Sequence, residues 1–194
     1  MSRAAGRAPA PGPRVGHDAR VPIDPPPVQS LSGAGVRLRL ATREDLPALT
    51  ALVREPDVAP WWPTWGPPEE EFVDPEVATY VIEAGGETAG VLMFHEETAP
   101  AYRSAGMDIA VSGRFRGLGL GRRALALMAR HLFEERAHHR LTIDPAAANA
   151  RAIRAYHAVG FRDVGVMRRS ERGPDGVWRD GLLMDMLAGE LREP

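Results

Sequence analysis

Six residues, Arg116-Gly117-Leu118-Gly119-Leu120-Gly121, carry the clearest chemistry in this 194-residue chain. Glycine tolerates backbone conformations that a Cβ forbids. Three alternate glycines therefore let successive main-chain N–H groups turn toward one point. An amphipathic pattern opens directly after them, and the N-terminal end of a helix carries partial positive charge. Amides and helix end together suit a pyrophosphate. A plain structural turn is the competing reading. Two other phosphate-binding fingerprints fit poorly. A P-loop requires a Lys, and all 24 basic residues here are Arg. A dinucleotide-binding turn follows the first strand of its domain, whereas this one lies past the midpoint of the chain.

The elements that must position this turn follow from periodicity. Val36-Arg37-Leu38-Arg39-Leu40 alternates apolar and polar, the pattern of a half-buried strand. Thr42 with Asp45 three residues on marks a helix start, with Leu46, Leu49 and Val53 on one face. Pro56 to Pro68 is a Pro- and Trp-rich loop, and Glu69–Val73 suggests a short helix. Tyr80–Ile82 and Val91–Phe94 read as strands joined by a turn at Gly85-Gly86. Met107–Val111 is the strand that delivers the glycine turn. Leu120, Ala124, Leu127, Met128 and Leu132 then recur at helical spacing. Arg140–Ile143 is a strand ending at Asp144-Pro145, and Asn149 caps a helix that Gly160 stops. Two antiparallel strands, from Phe161 and from Trp178, close the chain. The result is a mixed sheet with crossover helices in its second half. Residues 1–35, rich in Pro, Ala, Gly and Arg, read as a disordered or loosely docked tail whose only apolar anchors are Val28 and Leu31. The folded domain is expected over 36–194.

Composition narrows the function classes. A hydrophobic content of 44% supports a core, and a net charge of −2 offers no basic field for nucleic acid. No apolar run approaches the roughly 18 residues of a bilayer span. The N-terminal segment has no apolar stretch of the secretory type. The chain has no Cys, so thiolate metal sites, disulfides and a Cys nucleophile are excluded. No residues have metal-ligand spacing, and a cytoplasmic location is expected.

A second stretch changes the weight of the first. Asp144-Pro145-Ala146-Ala147-Ala148-Asn149 runs into Arg151-Ala152-Ile153-Arg154-Ala155-Tyr156 and on to Gly160-Phe161. With the glycine turn, in this order and at this spacing, it resembles the GCN5-related N-acetyltransferase (GNAT) superfamily. The resemblance covers Val36 to about Leu187. It implies an α/β (α+β) fold with a mixed sheet of about seven strands, flanked by about four helices and splayed at the cofactor-binding strands. It implies acetyl-CoA as donor, with the pyrophosphate on the glycine turn. The pantetheine arm is then expected between Met107–Val111 and Arg140–Ile143, pairing with the free edges as an added strand would. The cofactor residues so implied are Ile109, Ala110 and Val111, then Arg116, Gly117, Leu118, Gly119, Leu120, Gly121 and Arg122, then Asn149, Ala152 and Tyr156.

The reaction implied is attack of a neutral amine on the thioester carbonyl, with CoA thiolate leaving. Tyr156 sits where the family often places a phenol that protonates the sulfur; packing on the pantetheine is the other role open to it. Asp108 and Asp144 are the candidates for taking the amine's proton. Asp144 is equally readable as a turn residue, and the alternation around Asp108 leaves its facing open. Within the superfamily the chain is most similar to aminoglycoside 6′-N-acetyltransferases, in which acidic residues at the positions of Asp108 and Asp144 contact substrate ammonium groups. Trp61, Trp62 and Trp65 could stack on sugar faces or anchor their loop. Glu69-Glu70-Glu71 could extend an acidic rim, or simply open a helix. The expected partner is a cationic small-molecule amine, acted on by a monomer or homodimer. Three alternatives remain: a siderophore-type hydroxylamine acyltransferase, a protein or peptide N-acetyltransferase, and a non-catalytic acyl-CoA-binding module. The siderophore enzymes typically carry a His-x-Asp stretch where this chain has Thr142-Ile143-Asp144.

Overall fold

The structure, a computed structural model, describes residues 26–62, 67, 71–173 and 175–193. One eight-stranded sheet runs through them in the order β1-β2-β3-β4-β5-β6-β8-β7. The strands are β1 (Ser30–Gly33), β2 (Val36–Leu40), β3 (Val77–Ala84), β4 (Glu87–Glu97), β5 (Ser104–Val111), β6 (Arg140–Ile143), β7 (Arg162–Arg172) and β8 (Trp178–Leu187). The α-helices among the described residues are α1 (Leu46–Val53), α2 (Leu120–Glu134) and α3 (Ala150–Val159). Every neighbouring pair of strands is antiparallel except β5–β6. That parallel pair is bridged by α2, because parallel neighbours need a crossover.

Strand alternation sends the two faces to different helices. Leu38, Tyr80, Ile82, Leu92 and Met107 face α2 and α3, which contribute Leu120, Leu125, Met128, Leu132, Tyr156 and Val159. Val81, Val91, Met93 and Ala110 face α1, which contributes Leu46, Leu49, Leu52 and Val53. The start of α1 is fixed electrostatically. Thr42 N donates to Asp45 Oδ2 (2.8 Å), and the Arg39 guanidinium grips both Asp45 oxygens (2.9 and 2.7 Å). The hydrogen bonds from Arg39 hold the Asp45 carboxyl down at about 2.

The sheet has one strand more than expected. Ser30–Gly33, which fall within the segment read as tail, pair antiparallel with β2, so order begins before Val36. Leu31 packs against the core, and Tyr80 Oη donates to the Val28 carbonyl (2.8 Å), so both expected anchors touch the body. Residues 1–25 lie outside the described residues, as do Glu69 and Glu70 of the short helix expected at Glu69–Val73.

A buried ionic cluster pins the end of the sheet where β4, β5 and β6 meet. Arg136 Nε and Nη2 donate to Glu96 Oε1 and Oε2 (2.7 and 2.6 Å), and His138 Nε2 lies 2.5 Å from the same Oε1. Burial alone would raise the Glu96 carboxyl, but hydrogen bonds from His138 and Arg136 outweigh it and hold the group at about 2. Glu96 is opposite Ala105, which in turn pairs with Leu141. The cluster thus ties β4 to the connection between α2 and β6.

Gly160 closes α3 at φ +126°, and a Cβ there would lie 2.2 Å from the Glu190 carbonyl oxygen. Gly160→Ala should cost about 2 kcal/mol or more through backbone strain and displacement of Glu190. Urea denaturation checks this, and an unchanged midpoint would contradict the geometry.

Candidate active site

β5 and β6 touch only briefly. They pair at Ala105↔Leu141 and Gly106↔Thr142 and then part. From Met107 to Val111, β5 keeps β4 on one edge and, among the described residues, has no strand on the other. β6 continues instead toward β8: Leu182 N donates to the Pro145 carbonyl and Ala147 N to that of Asp180 (2.9 and 2.8 Å). Pro145 has no N–H to offer β5 in any case. A cleft of about 670 Å³ opens through the gap, lined by both parted strands, the glycine turn, the first turns of α2 and the inner face of α3.

The turn is shaped as its composition requires. Gly117 and Gly119 have φ of +76° and +72°, the left-handed region, and Gly119 directly precedes α2. Two clamps hold it. On one side Arg123 donates to the carbonyls of Leu118 and Ala34 (both 2.7 Å), tying the turn to the β1–β2 connection. On the other, the Glu55 carboxylate accepts from Ser112 Oγ and Gly113 N (both 2.8 Å). Arg116, Gly117, Gly119, Leu120, Gly121 and Arg122 line the cleft. Leu118 points outward at 61% exposure and does not line it. Left-handed glycines, a helix start and a nearby guanidinium fit a diphosphate, and the free edge of β5 fits an amide-bearing arm.

Ile109, Ala110, Val111, Asn149, Ala152 and Tyr156 line the same space. Asn149 Oδ1 caps α3 by accepting from Ala152 N (3.2 Å). Asp108 is opposite Met93 of β4, which packs on the α1 side, and this register settles its facing. Tyr156 comes from the other side of the sheet, buried against Phe161. The phenol and the carboxylate therefore enter the gap from opposite faces. Trp61 and Trp62 also line the cleft. Trp65, Glu69 and Glu70 lie outside the described residues.

Three further carboxylates line the cleft: Glu71 and Glu171 beside Asp108 and Asp144, and Asp57 paired with Arg116 near the glycine turn. Trp62 Nε1 donates to Glu71 Oε1. Glu171 is aimed by a bulge: the β7–β8 register slips between Met167 and Glu171, Arg169 adopts φ +49°, and Arg169 N donates to Asp180 Oδ1 (2.8 Å). Glu171 had no signal in the sequence, because strand alternation is interrupted there. Glu71 was visible only as part of an acidic run.

Asp144, Glu171 and Glu71 act on Asp108, and Asp144 also raises Glu171. Asp108 is open to the cleft but crowded by protein on its other sides. That desolvation, then the charges of Asp144, Glu171 and Glu71, push it up to about 6, against the opposing pull of His95. Burial raises Asp144, Glu71 and Glu171 as well. Tyr156 is raised by burial and then by Asp108 and Asp144, so its proton is firmly held at neutral pH. Among the described residues no group of His, Asp and Glu is arranged to hold a metal ion, and no helix is long and apolar enough to cross a membrane.

Parted strands around a glycine cradle define a transferase that handles an acyl thioester of coenzyme A. The acetyltransferase (GNAT) family model matches residues 43–161, and the chain belongs to that family. It is an acetyl-CoA-dependent N-acetyltransferase with the fold expected of one. The chain is 27% identical to an aminoglycoside N(6′)-acetyltransferase type 1 of Klebsiella pneumoniae, over 75% of this chain and 81% of that protein. It is 28% identical to a spermidine N(1)-acetyltransferase of Escherichia coli, over 79% of this chain and 86% of that protein. A solved structure of AAC(6′)-Ib in complex with paromomycin and acetyl-CoA superposes with a TM-score of 0.66 at 26% identity, covering 80% of this chain and 96% of that one.

Two measurements check the site. Gly119→Val places a β-branched residue at φ +72° and should abolish CoA binding in calorimetry while the protein still melts cooperatively. Carbon-13 NMR of the Asp108 carboxyl should titrate near 6. In Asp144→Asn the midpoint should move to lower pH, because a neighbouring negative charge that favours the protonated form is gone.

Proposed function

We propose that the acceptor is a polycationic small-molecule amine, an aminoglycoside presenting its 6′-amine. The observation that carries this reading is the set of four carboxylates, Asp108, Asp144, Glu71 and Glu171, facing one cleft with raised protonation equilibria. Like charges crowded in this way are relieved by an arriving polycation. Trp61 and Trp62 beside them offer aromatic surface to sugar faces. A cleft of about 670 Å³ with carboxylates grouped beside Trp61 and Trp62 also suits a small acceptor better than a peptide.

The residues divide the work by face. Bound acetyl-CoA supplies an activated acetyl group. Asp108, with its carboxyl near 6, is ionised at neutral pH yet a stronger base than an ordinary aspartate, and takes the proton of the attacking amine. Asp144, across the gap at the end of β6, holds an ammonium group of the acceptor. Tyr156 stays protonated and donates to the departing sulfur from the α3 side. The free edge of β5 from Ile109 to Val111, with Asn149 and Ala152 opposite, aligns the pantetheine arm. The glycine turn from Arg116 to Arg122 holds the diphosphate.

A linear polyamine is a second reading, favoured by the likeness to a spermidine acetyltransferase. The same carboxylates would serve it, but the tryptophan wall would have little to stack on.

An acetylation screen with kanamycin-type aminoglycosides, spermidine and a peptide, read as CoA release, separates the readings. Aminoglycoside turnover is expected to have the highest kcat/KM; preference for spermidine would support the second reading, and turnover of the peptide alone would refute both. With the preferred acceptor, Tyr156→Phe should lower kcat by about 10²–10⁴-fold with CoA affinity unchanged. An unaltered kcat would leave Tyr156 a packing role.

A further inference from the structure

Asp57, in the turn after α1, makes a contact that acetyl transfer does not use. Arg116 Nη1 lies 2.5 Å from Asp57 Oδ2, and Arg116 Nη2 donates to the Asp57 carbonyl. Arg116 Nε is buried and has no hydrogen-bond partner among the described residues. Arg151, in the first turn of α3, lines the same part of the cleft. Burial lowers the Arg151 guanidinium, Arg116 lowers it further as a like charge, and Asp57 acts against both. Asp57 is thus the anion shared by two cleft arginines. Its carboxylate also packs on the turn that leads to the glycines: a Cβ on Gly113 would lie 2.9 Å from Asp57 Oδ2.

A carboxylate is out of place at the mouth of an anion cradle unless something leaves when it is needed elsewhere. The left-handed glycines, the start of α2 and the two guanidiniums all favour negative charge. Diphosphate brought there would meet Asp57 as a like charge and as a rival for Arg116. The Asp57 side chain is 62% exposed, so the ion pair is wet and its exchange is inexpensive. Guanidinium binds phosphate through paired N–H groups at least as well as it binds carboxylate.

We propose that Asp57 is a built-in counter-ion of the phosphate seat: it engages Arg116 in the empty enzyme, yields that guanidinium to the diphosphate of the cofactor, and reclaims it as CoA departs. Asp57 is then a positioning residue that acts through Arg116. It keeps the two arginines compensated while the site is empty, and it limits how long the product stays. The proposal rests on the reading that the glycine turn receives the diphosphate.

The test is CoA binding to the full chain, measured by calorimetry for affinity and by stopped flow for dissociation. Asp57→Asn, at an exposed position, should bind CoA about three- to fivefold more tightly than the parent, with slower dissociation. Asp57→Ser should do the same, which guards against an effect peculiar to the amide. Inorganic pyrophosphate should compete with CoA at lower concentration in both variants than in the parent. A residue that merely braced Arg116 would give the opposite sign, so equal or weaker CoA binding in both variants overturns the proposal. Gly119→Val separates the underlying reading: if it binds CoA as tightly as the parent, the phosphate seat lies elsewhere and the role of Asp57 falls with it.

Discussion

The parting of β5 and β6 is the constraint on which the rest of the structure depends. Two paired positions join them, and past Gly106 each turns to its other neighbour. The sheet is therefore two half-sheets hinged at one end, with α2 spanning both. A gap of this kind leaves backbone amides unsatisfied, which is costly unless water or a ligand pairs with them. It persists because its closed end is locked. Glu96, Arg136 and His138 are buried together beside the last shared rungs, and breaking such a cluster by removing one member strands an uncompensated charge.

The same gap explains how two groups of opposite duty come together. Asp108 and Tyr156 sit on layers that a continuous sheet would keep apart. Asp108 belongs to the face covered by α1, and Tyr156 to the face covered by α2 and α3. Only where the strands diverge do both look into one space. The environment then drives both toward their protonated forms, through burial first and the charges of nearby carboxylates second. For a carboxylate this makes a better base. For a phenol it makes a group that is reliably charged with its proton.

Much of this was legible in the residues, and the exceptions have physical causes. The glycine turn, the Asp144-Pro145 stop and the Asn149 cap are local features whose chemistry dictates local shape, and each stands where spacing put it. Strand β1 was not legible because Ser30-Leu31-Ser32-Gly33 has a single apolar side chain and owes its order to β2 and Arg123. The facing of Asp108 was hidden because its strand is apolar on both sides, and only the register against Met93 decides it. Glu171 depends on a bulge that no periodicity announces. The pairing of Asp57 with Arg116 spans 59 positions of sequence and belongs wholly to tertiary structure.

The four crowded carboxylates have a thermodynamic side as well. Asp108 has a folded-state equilibrium near 6, above the 3.8 of a free side chain, so the native fold binds its proton more strongly than the unfolded chain does. Its contribution to stability is intact below about pH 4 and declines as pH rises through 6. At neutral pH the empty protein is therefore a slightly loaded spring. A multivalent cation that enters the cleft releases that load, more so in dilute salt than in concentrated. Heat resistance gained on adding an amine thus reports charge complementarity by itself, before any acetyl group has moved.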